Sequence, residues 1–270
     1  MRELTLPAPV VLLPGLGADA RLFDPQREAF GDAVWTPDWI AAESPRESLG
    51  QYAARWAQAI NERVATFDPD RPWFLGGASM GGMIALELVP HLQRLPGAVL
   101  MIASAQSTPD YPWYLDLSAS LVGKLSPRHA GTLLRFGALP MGLRDGQDES
   151  AYRKLMTMAK DADPDRLAWA MGAAAEWTYA GPPPQVDGRP FPPIHHIHGR
   201  LDWMIPLDES VSPTVVEQGR HVLTLSHPRT VNRWIFDRVA QHCGIDESHE
   251  PRVQDPDAAA RRRPELASRF

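Results

Sequence analysis

The chain has 270 residues, enough to bury a large core, either as one large α/β domain or as a domain with an insertion. Apolar residues make up 44% of it and charged residues 22%, which is ordinary for a globular protein in water. The net charge of −6 argues against nucleic acid or an anionic membrane as the main partner.

The first predicted element is a strand at residues 10–13, a continuous apolar run typical of a strand buried on both faces. The turn Pro14-Gly15-Leu16-Gly17 ends it, and Asp19 is placed to cap a short helical piece that follows. A phosphate-binding loop is a weaker interpretation of this turn, because no third glycine and no Lys-Ser/Thr pair follow.

A second short strand is predicted at residues 33–35. Ser44-Pro45-Arg46-Glu47 then fits a capping box with proline at the first helical position. Apolar residues recur at helical spacing from Leu49 to Ile60, so we predict an amphipathic helix that follows this box and ends near Thr66.

The next segment carries a chemical motif. An apolar run at residues 73–75 leads into Gly77-Ala78-Ser79-Met80-Gly81, which fits G-x-S-x-G, and a helical pattern follows at once up to about Pro90. A strand before the motif and a helix after it are the context in which G-x-S-x-G presents a nucleophilic serine. The alternative is a glycine-rich turn in which Ser79 merely caps the helix.

A strand at residues 98–103 completes an alternation of strands and helices that predicts a mostly parallel sheet with helices on both faces. From about Gln106 to Pro190 strand-like runs disappear, which indicates an inserted helical subdomain. We predict its helices at residues 113–125, 127–136, 149–159 and 164–176. Its aromatic residues are expected to form mostly a small core of the insertion, with a few lining a pocket.

The sheet resumes with predicted strands at residues 194–198 and 214–217, and Pro228 opens a last amphipathic helix. After about Gly244 the chain is rich in charge, Pro and Ala, and this composition predicts disorder.

A serine hydroxyl becomes a useful nucleophile only beside a base that a third group holds in place. Asp202 lies in a loop just after the strand at 194–198, and His221 follows the last predicted strand. The order Ser79, Asp202, His221 is that of the α/β-hydrolase fold.

Four blocks carry a resemblance that covers the chain to about Gly244. They are Leu12-Leu13-Pro14-Gly15-Leu16-Gly17-Ala18-Asp19, Gly77-Ala78-Ser79-Met80-Gly81-Gly82, His198-Gly199-Arg200-Leu201-Asp202 with Pro206, and Gly219-Arg220-His221 with Pro228. In this order they resemble the oxyanion, nucleophile, acid and histidine blocks of the α/β-hydrolase superfamily, in its helical-cap esterase and lipase-like branch. Pro14 stands where that family commonly has His.

The resemblance implies an α/β-hydrolase fold with core segments at residues 1–105 and 191–244, a helical cap at 106–190 and a tail at 245–270. It implies that Ser79 attacks an acyl carbonyl, His221 is the base and Asp202 orients it. The backbone N–H groups of Leu16 and Met80 would bind the oxyanion. Candidate substrate contacts in the cap are Trp113, Tyr114, Trp169 and Trp177.

Two competing residues and one departure bear on these roles. His227 is the rival base, although it directly precedes Pro228 and is expected at the start of the last helix. Asp208 is the rival acid, although it lies further beyond the strand end. Only eighteen residues separate Asp202 from His221, so a helix that many relatives carry there is expected to be shortened or lost.

His195, His196 and His198 suggest a metal site, but His196 and His198 share one face of the strand and His195 the other. No further block has ligand spacing, so strand packing is the favoured interpretation, and we expect neither metal nor cofactor.

The expected activity is hydrolysis of a small to medium apolar carboxylic ester. Thioester hydrolysis, acyl transfer and C–C bond hydrolysis are alternatives on the same three residues, and a ligand-binding protein without catalysis is an alternative of another class. The expected partner is a small acyl substrate, with neither nucleic acid nor membrane. The absence of a signal-peptide pattern and the single cysteine, Cys243, favour the cytoplasm.

Overall fold

A parallel sheet organises the chain, and the structure, a computed structural model, describes residues 5–108 and 149–245 of it. The strands are β1 Val10–Leu13, β2 Val34–Trp35, β3 Phe74–Ala78, β4 Val99–Ile102, β5 Gln185–Val186, β6 Arg189–Pro190, β7 Ile194–Gly199 and β8 Thr214–Val216. The α-helices are α1 Asp24–Phe30, α2 Leu49–Val64, α3 Met80–Leu88, α4 Glu149–Asp161, α5 Pro164–Ala175, α6 Leu223–Ser226 and α7 Pro228–His242.

Six of the strands form one sheet in the order β2-β1-β3-β4-β7-β8, and every neighbouring pair is parallel. Residue pairs such as Leu13 with Gly77 and Ala78 with Ile102 show that the central strands end nearly level. The loops after β1, β3, β7 and β8 therefore open at one edge of the sheet, the usual place for a site in a parallel sheet. The predicted fold class is confirmed.

Both faces of the sheet are covered, which explains the continuous apolar strands. Val11 and Leu13 point into a core shared with α2 and α3, whereas Val10 and Leu12 point into a second core shared with α1 and α7. All four side chains are fully buried. A strand whose alternate residues enter two cores cannot alternate apolar with polar residues.

The start of α2 differs from the prediction. The capping box is formed by Ser48 and Gln51, each side chain binding the other's backbone N–H, and Leu49 begins the helix. The predicted box is wrong because Glu47 has another role: its buried carboxylate accepts hydrogen bonds from the Arg55 guanidinium and from the backbone N–H of Glu43. Two boxes so close in sequence cannot both start one helix.

The insertion contributes α4, α5 and a two-stranded antiparallel hairpin, β5 and β6. The two helices lie where they were predicted, while the hairpin was missed because each strand has only two residues. The predicted helices at 113–125 and 127–136 lie outside the described residues.

The insertion does not keep its described aromatics in a core of its own. Trp169 and Trp177 join the core beneath α2 and α3, where the ring centroid of Trp169 lies 4.4 Å from that of Tyr52. The expectation of a separate small core is therefore wrong for these two residues. A pair of short helices buries too little apolar surface alone and gains more by packing on the sheet domain.

Two ion pairs add to this attachment. The Arg21 guanidinium lies 2.8 Å from the Asp161 carboxylate at the end of α4, and the Lys154 ammonium lies 2.9 Å from that of Asp24. These side chains are partly exposed to solvent, so the two pairs contribute little to the stability of the fold.

The last described helices end the chain on the second face. α6 was not predicted, because four residues are too few for a visible periodicity, whereas α7 begins at Pro228 as expected. The predicted disorder after Gly244 lies outside the described residues. In residues 5–108 and 149–245 no helix is both long and apolar enough to cross a membrane.

At the opposite end of the sheet, two histidines meet. The Nε2 atoms of His195 on β7 and His242 at the end of α7 lie 2.8 Å apart. Burial, followed by the positive charges of Arg238 and His242, lowers the pKa of His195 to about 4. The neutral ring is thus favoured in the folded state, and the unfolded chain binds more protons between about pH 4 and 6.5.

Stability should therefore fall as the pH drops through this window, and His195→Gln should reduce the fall. Allowing for partial exposure of the ring, we expect the variant to lose about 1 kcal/mol less than the unchanged protein between pH 7 and 5. Urea unfolding at the two pH values measures this difference. Burial also lowers the pKa of His196 and of His242, and His195 is not a cause of either shift, so equal losses in the two proteins would show that His195 does not contribute.

Candidate active site

Ser79 stands at the junction of β3 and α3 in a strained conformation. Its φ of 54° and ψ of −127° lie outside the regions that non-glycine residues favour. Its N–H donates to the carbonyl of Ile102 at 3.0 Å, and its own carbonyl accepts from the Ser104 hydroxyl at 2.7 Å. Strain of this kind persists only where neighbours enforce it, and it often marks a functional residue.

Glycine is required beside this turn. A Cβ on Gly81 would collide with the backbone carbonyls of Leu13 and Pro14, so α3 can approach the end of β1 only without a side chain there. A Cβ on Gly15 would lie 3.0 Å from the Ala78 carbonyl and 3.1 Å from the Ser79 Cβ. The loop after β1 thus lies directly against the serine.

That loop is held by three further contacts. The Ala18 N–H donates to the Gly15 carbonyl at 3.1 Å, and the indole N–H of Trp39 donates to the Ala18 carbonyl at 2.9 Å. Asp19 caps the short 3-10 helix that follows, by accepting from the Arg21 N–H. The loop can therefore present its backbone N–H groups in a stable arrangement.

Asp202 lies just after β7 with its carboxylate buried away from solvent. Its Oδ1 accepts from the backbone N–H groups of Met204 at 2.9 Å and Ile205 at 3.1 Å. Its Oδ2 lies 2.8 Å from Nδ1 of His221 and 3.2 Å from Nε2 of His198. Each oxygen of this carboxylate therefore lies close to two nitrogen donors.

His221 joins the acid to the serine. Its Nδ1 donates to Asp202, and its Nε2 lies 2.9 Å from the Ser79 Oγ, in position to accept the hydroxyl proton. The side chain of His221 keeps 10% of its surface exposed, so the ring meets solvent or substrate on one side. The structure thus brings together all three residues that the sequence placed in one constellation.

The short segment between Asp202 and His221 carries only a 3-10 turn, Glu209–Val211, and β8. The expected loss of an α-helix there is confirmed. The Leu201 N–H donates to the Gly219 carbonyl at 2.9 Å, which ties the two loops together without it.

The electrostatics of the site favour an ionised acid. Burial acts to raise the pKa of Asp202, but the charge of His221 and the hydrogen bonds from His198 and His221 outweigh it, so the pKa lies well below its usual range. The carboxylate therefore stays negative at neutral pH and favours the tautomer of His221 that carries its proton on Nδ1.

The rival residues lie elsewhere. The ring of His227 is buried at the start of α7, where its Nδ1 lies 2.9 Å from the Ser226 hydroxyl. Asp208 is exposed and caps the 3-10 turn by accepting from the N–H and hydroxyl of Ser210. Neither contacts Ser79 or His221 among the described contacts.

The three strand histidines have contacts of two kinds. His195 meets His242 on one face, whereas His196 and His198 pair with each other on the face toward Asp202. Within the two described ranges, no group of three or more His, Cys, Asp or Glu side chains is arranged to hold a metal ion.

The proposed substrate contacts have different positions. The exposed fractions of Trp169 and Trp177 are only 3% and 4%, and their indole N–H groups donate to the Glu47 carbonyl and the Glu87 carboxylate. Trp113 and Tyr114 lie outside the described residues. The contacts of all four with a substrate stay predictions.

Sequence reasoning missed Ser104, Trp39 and the role of His198. Ser104 is buried beside the turn of Ser79, and Trp39 lies in an irregular segment without periodicity. Among these, only His198 leaves a signal in the sequence, because it lies four residues before Asp202, and its position on a strand equally favours packing.

Comparison with known proteins agrees with the observed fold. The model of the alpha/beta hydrolase family matches residues 10–234, and the chain belongs to that family. No curated protein sequence matches it.

Three solved structures illustrate the likeness. A thermophilic esterase from Thermogutta terrifontis has a TM-score of 0.65 and 18% identity, over 87% of this chain and 90% of its own. A hydrolase from Oleispira antarctica has a TM-score of 0.62 and 14% identity, over 86% of this chain and 90% of its own. The 2-hydroxy-6-oxo-6-phenylhexa-2,4-dienoate hydrolase from Rhodococcus sp. strain RHA1 has a TM-score of 0.60 and 21% identity, over 88% of this chain and 91% of its own. At these identities the likeness shows the fold alone.

Proposed function

We propose that this hydrolase cleaves a small to medium apolar carboxylic ester through an acyl-enzyme, with Ser79, His221 and Asp202 as its catalytic triad. The observation that carries the proposal is the unbroken contact chain from the Ser79 Oγ to His221 at 2.9 Å and on to Asp202 at 2.8 Å. A backbone strained at the serine and a buried, fully hydrogen-bonded carboxylate support it.

The chemistry follows from these contacts. As the Ser79 Oγ attacks the ester carbonyl carbon, its proton passes to Nε2 of His221, and Asp202 stabilises the imidazolium. The imidazolium then protonates the departing alkoxide, which leaves as the alcohol. Water, deprotonated by the same ring, attacks the acyl-enzyme, and collapse of the second intermediate releases the acid and restores the serine.

The oxyanion is proposed to be bound by the backbone N–H groups of Leu16 and Met80. Met80 is the first residue of α3, and the first N–H groups of a helix lack intrahelical acceptors. The close approach of Gly15, the neighbour of Leu16, to Ser79 supports a role for this loop. Two preformed donors stabilise developing negative charge without reorganisation.

We further propose that residues 106–190 form a helical cap over this site, and that Trp113, Tyr114, Trp169 and Trp177 contact the acyl group there. An aromatic-rich cap favours an apolar substrate of limited size. The same triad also fits thioesters, acyl transfer and C–C bond cleavage, so a panel of esters, thioesters and a dione, with product analysis in the presence of competing alcohols, identifies the reaction.

Replacing Ser79 by Ala should abolish turnover of short p-nitrophenyl esters, by at least about 10⁴-fold, because alanine lacks the hydroxyl that contacts the base. Labelling by a fluorophosphonate should disappear as well. Ser226→Ala is the matched control, since that hydroxyl donates to the Val222 carbonyl and contacts His227, away from Ser79. If the unchanged protein were never labelled at Ser79, a binding protein without catalysis would become the better account.

Asp202→Asn should reduce kcat by about 10⁴-fold, since the amide invites the wrong tautomer of His221 and no longer stabilises the imidazolium. Asp208→Asn removes the same charge six residues along the chain, and its rate should stay within about twofold, because Asp208 caps an exposed turn and has no described contact with Ser79 or His221. Equal losses in the two variants would refute the assignment of the acid. Ester hydrolysis at pH 8 measures both.

His221→Gln should lose activity by about 10⁴-fold or more, because the serine then has no base. His227→Gln should retain most of the activity, although its melting temperature should fall because its ring is buried beside α7. Steady-state kinetics, with circular dichroism to verify folding, compares the two. Activity that survives in the first variant and vanishes in the second would transfer the role of base to His227.

A further inference from the structure

Behind the acid, two imidazoles on β7 continue the line of contacts away from the serine. Nε2 of His198 lies 3.2 Å from the Asp202 Oδ2 and 2.9 Å from the Ile205 carbonyl oxygen. Nδ1 of the same ring lies 3.0 Å from Nε2 of His196. His198 is completely buried and His196 is 5% exposed, so water does not complete these contacts.

The acceptors determine where the protons are. A carboxylate and a carbonyl oxygen only accept, so Nε2 of His198 must carry a hydrogen. In the neutral ring Nδ1 is then the acceptor, and Nε2 of His196 must donate to it. Burial lowers the pKa of His196 to about 3, so this ring is neutral at the pH of the tests below. With both rings neutral, the contacts assign Nε2 as the protonated nitrogen of each ring.

We propose that His198 is a positioning residue for Asp202, and that His196 fixes the His198 tautomer that performs this role. The inference rests on the proposed function in so far as Asp202 serves there as the acid of the triad. No contact of His198 or His196 with Ser79 is involved, so neither is assigned a catalytic role.

His198 acts on the acid by two routes. Its one Nε2–H binds the Ile205 carbonyl and also lies 3.2 Å from the Asp202 Oδ2, the oxygen that accepts from His221, so this N–H helps to stabilise the negative charge there. The hydrogen bond from His198 to the Ile205 carbonyl also fixes the position of Ile205. The backbone N–H of Ile205 in turn donates to the Asp202 Oδ1. One side chain therefore supports both oxygens of the carboxylate.

This stabilisation of the charge has a consequence that packing alone would not produce. Without the His198 donor, the negative charge of Asp202 is less stabilised by hydrogen bonds. It therefore attracts His221 more strongly and stabilises the imidazolium form of that base. A higher pH is then needed to free the base. The other ionisable groups around these rings are His196 and Asp208, which acts on His196, and they are unchanged in the comparison below.

The first test needs no substrate. In protein labelled with ¹⁵N-histidine, the spectrum at pH 8 should show His198 protonated on Nε2 with a bare Nδ1, and His221 protonated on Nδ1. The signals are assigned from their loss in His198→Gln and His221→Gln. A proton on Nδ1 of His198 with a bare Nε2 would overturn the proposal.

The second test compares His198→Leu, which lacks a donor, with His198→Gln, whose Nε2 can replace that of the imidazole. The readout is the rate of Ser79 labelling by a fluorophosphonate against pH. In His198→Leu the acidic midpoint should rise by about half a pH unit or more, and in His198→Gln it should stay within about 0.2 units of the unchanged protein. Identical midpoints in all three proteins would contradict the proposal.

The two tests separate this inference from the proposed function. If the unchanged protein is not labelled at all, the hydrolase proposal fails, while the ¹⁵N spectrum still decides the tautomer of His198. If labelling is normal but the leucine and glutamine variants share one profile, the hydrolase proposal stands and the role of His198 fails. Should His198→Leu not fold, the spectrum alone gives the decision.

Discussion

A carboxylate removed from water is stable in its charged form only if donors surround it, and in this protein that requirement determines the geometry around Asp202. Two backbone N–H groups of its own loop bind one oxygen, and the rings of His221 and His198 face the other. The loop must close tightly for the first pair, and β7 and the loop after β8 must come together for the second. The same loop and strand contacts that bury the charge of Asp202 thus also supply the donors that stabilise it.

The parallel sheet makes this arrangement possible. Because β1, β3, β7 and β8 run in the same direction, their carboxyl ends meet at one edge, and Ser79 and His221, 142 positions apart in the chain, become neighbours there. The strain at Ser79 is maintained by the same architecture, since Ile102 and Ser104 at the end of β4 bind the backbone of that residue on both sides. Gly15 and Gly81 lie so close to the neighbouring backbone that a side chain at either position would disturb the turn.

The described part of the insertion is attached through buried aromatic contacts more than through charge. Trp169 and Trp177 enter the core beneath α2 and α3, and each also donates its indole N–H to a residue of the sheet domain. The ion pairs of Arg21 and Lys154 lie nearer to solvent and add less. Helices that pack on the domain in this way belong energetically to its core, even where the chain order makes them an insertion.

The sequence alone determined which six segments form the strands of the main sheet, the strand-turn-helix setting of Ser79 and the three residues proposed as the triad. These are local signals, since a buried strand, a glycine-rich turn and a loop after a strand each leave a pattern in a few neighbouring residues. The helix start at Ser48 was misjudged by four residues, because two similar capping patterns adjoin and only the burial of Glu47 distinguishes them. What only the tertiary structure decided were the partners: His198 behind Asp202, Ser104 beside Ser79, and the packing of Trp169 against Tyr52. Such contacts join residues that are distant in the chain or belong to different elements, and no local periodicity encodes which side chain meets which across a sheet edge.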